Sequence, residues 1–144
     1  WELNEVQKDM RDSVAELTRI RKTYLADVAA EFFTGQLDLG TQRKDIAWFS
    51  LGGHEMTEVH WADGEKRSLT VQIEAGPDRG LLLLLNSSRE ETPFTLPDEK
   101  WGTSFRRIFD AASPVETHEP IIKQPSDKVN LSPHCAQVWL VTRS

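Results

Sequence analysis

The hydrophobic period changes once along this chain, at Gly35, and that change limits what the chain can fold into. Before it, Val6, Met10, Val14, Leu17, Ile20, Tyr24, Val28 and Phe32 recur at intervals of three and four. At about 100° per residue they fall within an arc of roughly 120°, the stripe of a helix that lies on a larger body. Asn4 with Gln7 three residues on is a capping-box pattern, so the helix starts near Glu5. Thr23 and Tyr24 are weak helix formers and mark a break, and Gly35 is the expected C-cap of the segment.

After Gly35 the period falls to two. Strands are expected at Asp45–Phe49, Arg67–Ile73, Leu81–Asn86, Thr92–Leu96, Ser104–Phe109, Lys128–Leu131 and Gln137–Thr142. The run Leu81 to Leu85 reads as a central buried strand, and Pro93 places its strand at an edge. Residues 113–128 carry Pro114, Pro120 and Pro125 and read as a long surface loop. About seven strands with close turn signals and no helices between them predict a mainly β protein. The expected form is a Greek-key-like antiparallel β-sandwich preceded by an N-terminal amphipathic helix. Residues 1–35 form the helical segment and 36–144 the sandwich domain.

The length of 144 residues fits one domain and excludes a (β/α)8 barrel, which needs at least about 200. A net charge of −6 does not attract polyanions, so neither nucleic acid nor an anionic membrane is an expected partner. No apolar run is long enough to span a bilayer, and no leader is recognisable at the start. The single cysteine, Cys135, makes no internal disulfide, which favours a reducing compartment such as the cytoplasm. The chain begins with Trp1 and not Met, as expected either of a chain from which something was removed or of an excised piece.

A search for chemistry ends without a catalytic set. Glycosidases need two carboxyl groups about 5–9.5 Å apart across one bond. The carboxylates here fall on the helix surface or in turns, and Glu90 and Glu91, as neighbours on an extended chain, face opposite ways. His54, Glu55 and His60 suggest a metal, but a spacing of six puts the two rings about 240° apart on a helix or about 20 Å apart on a strand. Cys135 beside His134 reads as a small core residue. There is no nucleophile elbow, phosphate loop or dinucleotide fingerprint. No catalytic residue, metal ligand or cofactor is therefore assigned.

Tryptophan is the remaining feature, at positions 1, 48, 61, 101 and 139. Trp48 and Trp139 lie in apolar strands and are expected in the core. Trp61 has polar neighbours, so one indole face is expected to stay wet, and indole faces stack on the C–H patches of sugar rings. Trp61 is the one candidate glycan contact.

From here the residues carry a resemblance. D-I-A-W-F (45–49), G-H-E-M-T-E-V-H-W (53–61), R-S-L (67–69), L-L-L-L-N (82–86), F-T-L-P (94–97), W-G (101–102), F-D-A-A-S-P (109–114) and V-N-L-S-P-H-C-A-Q-V-W-L (129–140) follow one another in order. Together they resemble the segment after the catalytic barrel in bacterial glycogen debranching enzymes of the isoamylase type, in glycoside hydrolase family 13. W-E-L (1–3) and L-T-R-I-R-K (17–22) are similar to the last barrel helix, although Thr23-Tyr24 replaces the usual His-Pro and His60 the usual acid before Trp61. The resemblance implies a parent that cleaves α-1,6 branch linkages with an Asp, a Glu and a second Asp, none of which has a match in this chain. It implies a non-catalytic C-terminal domain whose partners are the upstream barrel of the same polypeptide and, through the parent, glycogen or another α-glucan. For the isolated piece the expectation is that the helix repacks or that a homodimer forms through it. A free-standing carbohydrate-binding or protein-interaction module is the alternative.

Overall fold

The apolar run Leu81 to Leu85 lies in the interior of a six-stranded antiparallel sheet. The computed structural model describes residues 2–26, 28, 32–114 and 119–143. The elements in chain order are α1 (Glu5–Tyr24), β1 (Leu37–Asp38), β2 (Arg43–Lys44), β3 (Ile46–Phe49), α2 (Glu58–Ala62), β4 (Ser68–Glu74), β5 (Arg79–Asn86), β6 (Thr92–Thr95), β7 (Ser104–Asp110), β8 (Ile122–Lys123), β9 (Lys128–Leu131) and β10 (Cys135–Thr142). The large sheet has the order β3-β4-β5-β10-β7-β8; β6 pairs with β9 as a second layer, and β1 with β2 as a small hairpin. The mainly β, antiparallel sandwich with an N-terminal helix is the architecture read from the sequence.

Strand alternation divides the sheet into two faces. Leu82 and Leu84 of β5, Phe105 of β7 and Trp139 and Val141 of β10 point inward. They meet Phe94, Leu96, Val129 and Leu131 from the second layer in one buried core. Burying each large aliphatic or aromatic side chain contributes roughly 1.5–3 kcal/mol, so this layer supplies most of the driving force. β6 pairs only with β9, which leaves Pro93 exposed on an edge as expected.

A bulge between Val138 and Trp139 shifts the β7 register, so that Phe109 faces Val138 and Arg107 faces Trp139. The extra residue, Ile108, brings Arg107 and Asp110 onto the same inner face. There Arg107 approaches Asp110 at 3.0 Å, Gln137 donates to Asp110 at 2.9 Å, and the Trp139 indole N–H donates to Gln137 at 3.1 Å. This chain of bonds satisfies polar groups whose burial would otherwise be costly.

The outer face of the sheet receives α1. The capping box forms as expected: the Asn4 side chain accepts from the Gln7 N–H at 2.9 Å, and the Gln7 side chain accepts from the Asn4 N–H at 3.0 Å. The helix stops at Tyr24, where the sequence marked a break, and Gly35 does not cap it. Gly35 instead has a φ of +68° in the connection to β3, where its N–H and that of Thr34 donate to the Asp45 carboxylate at 2.7 Å each. Only the last turns of α1 dock, with Ile20, Tyr24 and Leu25 packed against Ala75, Leu81, Phe109 and Val138.

Three other expectations need correction. The strand region does contain a helix, the single turn α2. The described residues hold ten strands and not about seven, because β1, β2 and β8 are two residues each. The surface loop at 113–128 includes β8, which pairs Arg106 with Ile122 and Phe105 with Lys123. Trp1 lies outside the described residues.

Candidate functional site

Two surfaces stand out, and both belong to the outer face. The first is the apolar stripe of α1. Val6, Met10, Val14 and Leu17 are 76%, 64%, 56% and 41% exposed, while Ile20 on the same helix is 3% exposed. The side chains turned partly inward are Asp12, Ser13 and Glu16. At about 100° per residue, the stripe points to one side of the direction in which the helix meets its own sheet. A polar cleft of about 740 Å³, bordered by Asp12, Glu16, Arg19, Arg106 and Arg107, lies between the middle of α1 and β7. The helix therefore covers its own domain with only the last part of its apolar stripe, Ile20 and Tyr24, and leaves Val6, Met10, Val14 and Leu17 uncovered.

The second surface is a groove at the opposite end of the same face. Helix α1 docks near Leu81, whereas the groove opens by Leu85, about 13 Å further along β5 at 3.3 Å per residue. It measures about 730 Å³, with a floor of Leu69, Leu85 and Ala136 and a wall formed by Trp61. The local fold explains how Trp61 reaches it. Gly53, at φ +79°, turns the chain after β3, and the Met56 N–H then donates to the Trp48 carbonyl at 2.8 Å. The Thr57 N–H donates to His60 Nδ1 at 3.0 Å and starts α2, which swings Trp61 back over β3. The Trp61 and Trp48 rings meet edge-on, with centroids 5.7 Å apart and planes at 72°.

Trp61, the candidate from the sequence, is 53% exposed. Trp139 is buried as expected, but Trp48 is not: it is 38% exposed, a correction to the expected core assignment. Trp48 pairs with Val71 on the outer face of the edge strand β3, where it meets the half-exposed Trp61 of α2. Sequence reasoning also missed Leu85 and His134 as groove residues. The unbroken run Leu81 to Leu85 reads as buried throughout, and nothing in it shows that Leu85, 37% exposed, lies at an open end of the outer face.

The remaining candidates are held in structural roles. Glu55 pairs with Lys44 at 2.5 Å, and the Nδ1 of His60 caps α2. Among the described residues no group of three His, Cys, Asp or Glu side chains is placed to hold a metal. Cys135 is buried, and burial, followed by the nearby Asp110 charge, pushes its thiol pKa up. Among the described residues no helix is long and apolar enough to cross a membrane.

Residues 45–144 match the family model for the isoamylase C-terminal domain. A glycogen operon protein GlgX homolog from Mycobacterium bovis is 25% identical over 128 residues, a match that takes in 80% of this chain and 18% of that one. A GlgX homolog from Mycobacterium tuberculosis matches with the same identity and coverage. The chain thus spans less than a fifth of the length of these curated relatives. The family match takes in well over half of the chain, including both layers of the sandwich and the whole groove, and the chain belongs to the isoamylase C-terminal domain family.

Proposed function

We propose that this chain is the C-terminal accessory domain of a glycogen debranching enzyme, packed on that enzyme's catalytic domain through the apolar stripe of α1. One observation carries the reading: α1 turns Val6, Met10, Val14 and Leu17 away from its own sheet and leaves them exposed. Each such side chain contributes roughly 1.5–3 kcal/mol once covered. A polypeptide about five times longer, as in the relatives, has the body to cover them. On this reading α1 is the last helix of the catalytic barrel, and the sandwich stabilises that barrel without touching the reacting bond. The parent hydrolyses α-1,6-glucosidic branch linkages, acting where glycogen is stored, in the cytoplasm.

The domain itself carries out no hydrolysis. Asp110, a buried carboxylate, is held by Arg107 and Gln137, and the partly buried Glu74 is held by Arg143. The purified chain, incubated with a branched limit dextrin, is expected to release no reducing ends above the buffer rate. Sustained release that scales with protein concentration would overturn this reading.

A further inference from the structure

We propose that the Trp61 groove is an α-glucan contact site that holds a short run of α-1,4-linked glucose units. The choice of α-glucan among saccharides rests on the function proposed above; the choice of a saccharide rests on the groove.

The groove combines the two surfaces that a sugar presents. Its wall is an indole more than half exposed and braced edge-on by Trp48, so the ring offers a fixed apolar face. Its rim is polar: His60, Asp63, Lys66, Arg67 and His134 border it. Several of these groups have hydrogen-bonding capacity to spare. Among the described residues, the Lys66 ammonium and the His134 ring make no hydrogen bond or ion pair. The His60 ring accepts at Nδ1, so its neutral form carries the proton on Nε2 as a free donor.

That rim argues against an apolar protein surface as the occupant. Seating one there would bury a lysine ammonium and two imidazole edges without partners, and each such burial is costly. A hydroxyl-rich ligand meets the same groups with acceptors and donors while its C–H face covers Trp61. The stripe of α1, by contrast, is aliphatic and suits a protein partner. The groove volume of about 730 Å³ falls within the roughly 300–1,000 Å³ usual for small-ligand sites. On a branched polymer, a contact of this kind raises the effective concentration of the remaining chain ends.

The test is titration of the 144-residue chain with maltohexaose, read from tryptophan fluorescence and from the indole N–H resonances. Saturable binding with a Kd of about 0.1–10 mM is expected, together with a shift of the Trp61 resonance. Trp61→Ala should raise Kd at least about tenfold, with partial recovery in Trp61→Phe. Lys66→Ala combined with His134→Ala changes only rim groups and should also weaken binding several-fold, which keeps the test decisive if Trp61→Ala does not fold. Cellohexaose, the β-linked isomer, should not bind detectably. The proposal is overturned by absence of saturation with maltohexaose, by equal affinity for cellohexaose, or by unchanged affinity in the folded variants. Failure here leaves the accessory-domain reading standing if polar substitutions in the α1 stripe still destabilise the full-length enzyme.

Discussion

Gly53 shows how much can rest on one residue. Its φ of +79° is a region that L side chains avoid, and a Cβ there would stand 2.8 Å from the Leu96 carbonyl oxygen and 2.9 Å from that of Thr95. The residue sets the turn that carries α2, and with it Trp61, onto β3. Gly53→Ala should therefore cost about 1–3 kcal/mol, seen as a lower urea midpoint with an unchanged slope. An unchanged midpoint would mean that the turn is not under this constraint. Cys135 gives a second residue-level expectation. Its raised pKa keeps it a thiol at neutral pH, and burial shields it. An aromatic disulfide reagent should label it only as the chain unfolds, and rapid labelling of the native protein would contradict the assignment.

Among the elements, those with a period were legible in the sequence and those without one were not. The capping box at Asn4 and Gln7 placed the start of α1, and alternation placed β3 to β7, β9 and β10 to within about two residues. β1, β2 and β8 are too short to show a period, and α2 is one turn started by a histidine cap that no apolar pattern announces. Gly35 carries the positive φ expected of a C-cap but belongs to the connection held by Asp45. That contact is sensitive to acid. Burial alone raises the Asp45 pKa, but the N–H groups of Thr34, Gly35 and Ile46 and the Thr34 hydroxyl outweigh it and hold the net value below the ordinary aspartate range. A depressed carboxylate pKa adds stability above the unfolded value, and that contribution disappears as the pH falls through the folded one. Thermal melts between pH 7 and pH 3 should show the loss below about pH 4. Asp45→Asn should melt lower at pH 7 and lose less on acidification, and parallel pH profiles for the two proteins would count against the role of Asp45.

For the whole molecule, the amphipathic stripe announced a helix lying on something, but periodicity cannot say on what. The sandwich closes its own core between the six-stranded sheet and the β6–β9 layer, so it does not need the stripe. Leu81, Phe109 and Val138 take only the last turns of α1, and Val6, Met10 and Val14 are left for another body. Trp48 was misjudged for a related reason: its strand looks apolar, but its ring lies on the outer face at the sheet edge, against the half-exposed Trp61. The most direct measurement combines Met10→Gln with Val14→Gln, both helix-compatible changes at exposed positions, and compares melting of this chain with melting of the full-length enzyme that carries it. The chain alone should keep its Tm within about 1–2 °C, because surface substitutions stay within about 0.5 kcal/mol. The enzyme should lose several degrees as the contact between catalytic domain and helix weakens. An enzyme whose Tm does not change would contradict the central claim that this stripe joins the domain to its catalytic partner.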